Sequence, residues 1–151
     1  KGKKGLIRVK GGILINFIIA THGHMALGTK NTMEIISQKN DVYVMSAYVD
    51  NDDLEAEVKK LSLWLQTRGS QKTLIFTDLL AGSVNQRITK EFLNDHTFII
   101  AGYNLAVLLE CIMLNDEQIS ITVLNEIVER GKNEIVLVNS LFNDTKGENT
   151  C

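Results

Sequence analysis

Leu14-Ile-Asn-Phe-Ile-Ile-Ala-Thr-His-Gly-His24 decides the reading of the whole chain. A nearly continuous apolar run from Leu14 to Ala20, with no polar alternation, predicts a central parallel strand buried on both faces. It ends in Thr-His-Gly, so a titratable side chain stands directly after a buried strand. Outward from it, strand and helix signals alternate. Met25–Ser37 reads as a helix and Val42–Ala47 as a second strand. Leu54, Val58, Leu61 and Leu65 recur at helical spacing, ended by Gly69. Thr73–Phe76 reads as a third strand, Thr77–Gly82 as a loop, and Ser83–Leu93 as a third helix with Ser83 a plausible N-cap. A fourth strand is expected at Thr97–Ala101. Helices follow at Leu105–Leu114 and at Ile119–Arg130, the latter ended by Gly131, then a short last strand at Glu134–Val138. Such alternation means an α/β domain with a mainly parallel sheet and helices on both faces.

Composition agrees with one domain. The chain has 151 residues, 44% hydrophobic and 23% charged. That length suffices to bury about 70% of the unfolded surface without disulfide or metal staples. A chain that is a disordered tail throughout, a collagen-like chain and a disulfide scaffold are excluded. The chain contains no proline, where average usage of about 5% predicts about seven or eight. Net charge is −2, but five of the 16 basic residues (Lys1, Lys3, Lys4, Arg8 and Lys10) crowd the start, leaving 11 against 18 acidic residues elsewhere. Residues 1–12 are read as a flexible extension or a vector-derived remnant, 13–142 as the domain, and 143–151 as a flexible tail. No basic or aromatic pattern continues into the domain, so no nucleic-acid partner is expected. Cys111 sits in an apolar run and behaves as a small hydrophobe. The run at Leu14–Ala20 is too short to span a bilayer and its flanks do not read as a secretory signal, so a cytoplasmic location is expected.

In open α/β sheets ligands bind beyond the carboxyl ends of the strands, where strand order reverses. That directs attention to Thr21-His-Gly-His24, Thr77–Ser83 and Gly102-Tyr-Asn104. If the first and third strands are neighbours, His22 and Asp78 face each other. A carboxylate bonded to one ring nitrogen fixes the tautomer, frees the other nitrogen to attack and stabilises the positive ring that results. Ala81-Gly82-Ser83 opens a helix, whose amides and dipole suit an anion such as phosphate. On residues alone a second reading stands beside this one: a polar rim histidine and an ordinary strand-to-helix turn. No metal or cofactor is implied, and no P-loop motif is present.

Three segments, Phe17-Ile-Ile-Ala-Thr-His-Gly-His-Met-Ala26, Thr77-Asp-Leu-Leu-Ala-Gly-Ser83 and Ala101-Gly-Tyr-Asn-Leu-Ala-Val-Leu-Leu-Glu110, occur in this order. Together they resemble the mannose-type IIA component of the bacterial phosphoenolpyruvate-dependent sugar phosphotransferase system, over roughly residues 15–138. The resemblance implies a sheet of order 2-1-3-4, with a C-terminal strand, here Ile135–Val138, exchanged or packed across a homodimer. It implies that His22 carries the phosphoryl group, that Asp78 orients it and that Ser83 lies beside it. Thr21, Gly23, Ala81, Gly82, Gly102 and Asn104 would form the surrounding loop and pocket. It also implies a protein-histidine phosphotransferase without cofactor. The donor would be a histidine-containing phosphocarrier protein and the acceptor a IIB protein or domain, with IIC and IID membrane components engaged indirectly. The chain would then work at the periphery of a membrane transporter. Two related readings share the chemistry or the fold: the phosphoryl-donor subunit of dihydroxyacetone kinase, and a regulatory module controlled by phosphorylation. The sequence departs from the family pattern at Ala81, where glycine is usual, at Gln86 for asparagine, and at Val84 and Ala106 for proline. Alanine at position 81 requires φ below zero or a small strain.

Other polar and aromatic residues have plainer expectations. His24 is a rim residue, and His96 has no role. Asp50–Asp53 form a helix-cap cluster without the spacing of a calcium loop. Trp64 and Leu65 belong to core or interface. Tyr103 covers the pocket or meets a partner.

Overall fold

The computed structural model describes residues 15–49 and 53–143. The expected extension (1–12), most of the expected tail (144–151) and three members of the acidic cluster (50–52) lie outside them. The described residues form β1 (Asn16–His22), α1 (Met25–Ser37), β2 (Val42–Ala47), α2 (Leu54–Arg68), β3 (Thr73–Thr77), α3 (Ser83–Phe92), β4 (Thr97–Ala101), α4 (Leu105–Cys111), α5 (Ile121–Asn133) and α6 (Val138–Asn143). A 3-10 turn at Asp116–Gln118 precedes α5.

All four strands are parallel, in the order β2-β1-β3-β4. The chain steps from β1 to one side and then returns past it to the other, so the order reverses between β1 and β3. Register aligns Ala20 with Thr77. His22 and Asp78 therefore leave adjacent strands at the same end of the sheet.

The period-2 alternation of a strand divides the core into two layers. Ile19, Leu74, Phe76 and Ile100 face α1, α4 and α5, packing with Met33, Leu108, Cys111 and Ile127. Ile18, Ala20, Met45 and Ile75 face α2 and α3, packing with Val58, Leu61, Val84 and Ile88. Both faces are thus covered by helices, which is why β1 and β3 are apolar without alternation. Trp64 and Leu65 pack half-buried against the second layer. Burial pushes the Cys111 thiol up to about 12, with a smaller push from Glu110. The thiol is therefore protonated and unreactive at neutral pH.

Asp53 caps α2, its side chain accepting from the Ala56 amide at 2.8 Å. Three expectations are corrected. First, α5 does not stop at Gly131 but runs to Asn133. Gly131 is buried, and a Cβ there would lie 2.0 Å from Val107 Cγ2. The glycine permits α4 and α5 to approach; it does not end the helix. Second, α3 is capped at Gly82, and Ser83 is its first helical residue. Third, Glu134–Val138 is not a strand in this chain. Residues 135–137 have no regular structure, and Ile135 and Leu137 are 73% and 68% exposed. A strand needs a neighbour for its ladder hydrogen bonds, and the four-stranded sheet supplies none there.

Gly131→Ala is expected to destabilise the protein by about 1–3 kcal/mol through overpacking. Val107→Ala in the same chain should recover most of that loss. Denaturant unfolding of wild type and these two variants checks this, and a Gly131→Ala protein as stable as wild type would contradict the close-approach account.

Candidate functional site

His22 ends β1 and Asp78 follows β3. The Asp78 carboxylate is pinned by three hydrogen bonds. Its Oδ2 accepts from the His22 backbone amide at 2.8 Å and lies 2.7 Å from His22 Nδ1. Its Oδ1 accepts from the Leu79 amide at 2.9 Å. The carboxylate side chain is only 9% exposed, against 38% for the imidazole. Burial alone raises the carboxyl and is the largest single influence. The hydrogen bonds from His22 backbone and ring, and from the Leu79 amide, together outweigh it and hold Asp78 below the usual carboxylate range.

That ionisation sets the tautomer of His22. An ionised carboxylate only accepts, so Nδ1 carries the proton. The neutral ring then presents its lone pair at Nε2. Ser83 Oγ lies 3.1 Å from Nε2, and the Ser83 hydroxyl is the donor in that pair. Ser83 Oγ in turn accepts from the Tyr48 hydroxyl at 3.0 Å. The Tyr48 ring stacks on His22, centroids 5.6 Å apart and planes 23° apart.

The loop from β3 to α3 is held from within the fold. Asn85, itself buried, accepts from the Ala81 amide at 3.1 Å and donates to Thr77 Oγ1 at 3.0 Å. Gln86 Nε2 donates to the Ala81 carbonyl at 2.8 Å. Ala81 takes φ +60°, so the strained alternative is the one realised. Tyr48 is also left-handed, at φ +64°. Such residues cost about 1–3 kcal/mol each and persist only where the surroundings hold them. A Cβ on Gly82 would lie 3.1 Å from Leu79 Cβ and 3.2 Å from the Leu79 carbonyl oxygen, so glycine lets the loop close tightly on itself beside the ring. The N-terminus of α3 has no side-chain cap and no acidic residue in its first turn. Its leading amides aim toward the same end of the sheet as His22.

The remaining expected residues divide into two groups. Gly23, at φ +56°, turns the chain after His22, and its amide donates to the Ala47 carbonyl at 2.9 Å. The Gly102 amide donates to the Thr77 carbonyl at 2.9 Å, tying β4's exit to β3. Thr21 and Asn104 act away from His22. Thr21 is buried, and its Oγ1 accepts from the Ala26 amide at 2.8 Å. Asn104 caps α4, accepting from the Val107 amide at 2.9 Å, and donates to the Gly131 carbonyl at 2.6 Å. Its side chain joins α4 to α5 and does not reach toward His22. Tyr103 is buried too, edge-on to Phe76 at 5.8 Å, with its hydroxyl 3.0 Å from Thr29 Oγ1. His24 is exposed. Tyr48, Asn85 and the bond made by Gln86 were not expected. Asn85 and Gln86 are adjacent residues in the first turn of α3, and nothing in one sequence marks which side chain folds back.

A three-layer parallel α/β domain with a carboxylate-oriented histidine at its switch point defines the class of protein. Residues 16–129 match the family model of the PTS system fructose IIA component. The chain belongs to this family, the mannose-type IIA components of the sugar phosphotransferase system. Phosphoryl transfer in sugar transport is the family's general activity.

Among solved structures, one similar protein is provisionally described as a phosphoenolpyruvate-dependent sugar phosphotransferase system permease from Klebsiella pneumoniae. It is 27% identical, with a TM-score of 0.70 over 87% of this chain and 96% of that one. A IIA protein associated with the fucose utilization operon of Streptococcus pneumoniae is 23% identical, with a TM-score of 0.69 over 87% and 98%. The mannose/sorbose-specific IIA subunit from Enterococcus faecalis is 21% identical, with a TM-score of 0.62 over 81% and 92%. The last two establish likeness of fold. No curated protein sequence matches the chain. Among the described residues no helix is long and apolar enough to cross a membrane.

Replacing Ala81 by glycine is expected to stabilise the protein by about 0.5–1 kcal/mol, because glycine takes φ +60° without a Cβ penalty. Urea unfolding reads this directly, and a destabilised Ala81→Gly protein would show that the alanine is not strained.

Proposed function

We propose that this chain is a phosphocarrier. His22 accepts a phosphoryl group on Nε2 from a histidine-containing phosphocarrier protein and passes it to a IIB protein or domain. The observation that carries this reading is the Asp78 hydrogen bond to Nδ1, which leaves Nε2 as the nucleophile at the open end of the sheet. Transfer is in line between two histidines, and catalysis consists of positioning and charge stabilisation. Asp78 stabilises the positive ring that forms when Nε2 bonds phosphorus. The Ser83 hydroxyl and the amides at the uncapped N-terminus of α3 supply donors for the phosphoryl oxygens. The proposed setting is cytoplasmic, at the periphery of a membrane transporter.

Incubation with phosphoenolpyruvate and the two general carrier proteins tests this. Wild type should acquire an acid-labile, base-stable phosphoryl label, and His22→Ala should acquire none. Asp78→Asn should slow transfer by about 100-fold or more, since the amide no longer selects the Nδ1–H tautomer. Partner binding should weaken far less. Label persisting on His22→Ala would refute the assignment, and equal loss of transfer and binding in Asp78→Asn would refute its orienting role.

We also propose a homodimer built on the edge of β4. That edge presents unpaired backbone groups. A groove of about 760 Å³ runs beside it, lined by Phe98, Ile100, Ile121, Leu124 and Val128. Ile135, Val136 and Leu137 are exposed in the segment that follows α5. This segment of a second copy, laid along β4, would cover both surfaces. Light scattering should give twice the chain mass for wild type and a monomer for Ile135→Asp/Leu137→Asp. A dimer unaffected by both aspartates would place the interface elsewhere.

A further inference from the structure

We propose that Tyr48 is a positioning residue for His22, acting through Ser83; this role rests on the phosphocarrier reading. Tyr48 follows β2 directly, in a left-handed conformation that a bulky side chain rarely adopts. Burial does not hold it there, since it is 54% exposed. Among the described residues its ring stacks on His22 and its hydroxyl donates to Ser83 Oγ, both at the site.

The direction of those bonds defines the role. A serine hydroxyl has one proton and two lone pairs. Tyr48 fills one lone pair, which turns the Ser83 proton toward Nε2. In transfer, the Nε2 lone pair forms a bond to phosphorus. The P–N bond of the donor breaks, and its electron pair returns to the donor's ring nitrogen. A donor ring protonated on its other nitrogen leaves as neutral imidazole. His22 keeps its Nδ1 proton and becomes the positive phosphorylated ring facing Asp78. The Ser83 proton must leave Nε2 and turn to a phosphoryl oxygen. Oγ accepts from Tyr48 before and after that turn, so the phenol holds Ser83 in place while its proton changes partner. The stacked ring keeps the imidazole plane aligned with the incoming group.

Tyr48→Phe retains the ring and removes the hydroxyl. Phosphoryl transfer to His22 is expected to slow about 3- to 10-fold, the scale of one lost hydrogen bond. The melting temperature should not fall. In the unphosphorylated protein, the nitrogen-15 shift of His22 Nε2 should move toward that of an unbonded lone pair. In a Ser83→Ala background the same substitution should slow transfer no further, because its effect runs through Ser83. Wild-type transfer and an unchanged Nε2 shift in Tyr48→Phe would overturn the proposal. So would full additivity with Ser83→Ala. A wild-type chain that takes no label on His22 overturns instead the phosphocarrier reading, and this role with it.

Discussion

The hydrogen bond between His22 Nδ1 and Asp78 Oδ2, 2.7 Å long, is the interaction on which the rest of the site depends. It joins the ends of β1 and β3, the two strands between which the order of the sheet reverses. The sheet makes it possible by placing Ala20 beside Thr77, so that the next residues diverge over the same edge. The buried end of the pair is the carboxylate and the open end is the imidazole. This asymmetry shields the carboxylate charge while the imidazole faces outward. Because Oδ2 also accepts the His22 backbone amide, the ring and its own backbone are fixed by one atom.

Two of the three left-handed non-glycine residues among those described lie around that bond, the third being Gln38 at the end of α1. Ala81 and Tyr48 are both left-handed and both border the His22 ring or its loop. What holds them differs. Ala81 is clasped through its amide and its carbonyl by Asn85 and Gln86, side chains of the helix it introduces. Tyr48 is held by contacts with Ser83 and His22 themselves. The first strain supports the loop, and the second is tied to Ser83 and the His22 ring. The absence of proline belongs here too. Val84, the second residue of α3, has no ring to preset φ, and hydrogen bonds from within α3 supply the order instead.

Much of this was legible in the sequence because burial writes itself into periodicity. The bounds expected for α1, β2 and β4 are those observed. An apolar run without alternation marked β1 as a two-faced central strand. The residues that misled are ones whose role depends on a partner remote in sequence. Gly131 looks like a helix stop, and only the neighbouring Val107 shows it to be a close-approach position. Ser83 looks like an N-cap, but Gly82 takes that place and the hydroxyl is left for Nε2. Asn104 lies in a loop beside the site, yet both ends of its amide serve α4 and α5. Tyr48 carries no pattern at all, since a positive φ and a stacked ring leave no periodic trace. Ile135–Leu137 have the composition of a strand, but composition cannot provide the neighbour a strand requires.

The central claim is that Asp78 holds the proton on Nδ1 and so makes Nε2 the phosphorylated atom. Phosphorus–nitrogen coupling in phosphorylated protein carrying nitrogen-15 histidine tests it most directly. The account predicts one coupled phosphorus, bonded to Nε2 of His22. Coupling to Nδ1 of His22, or to His24 or His96, would contradict it.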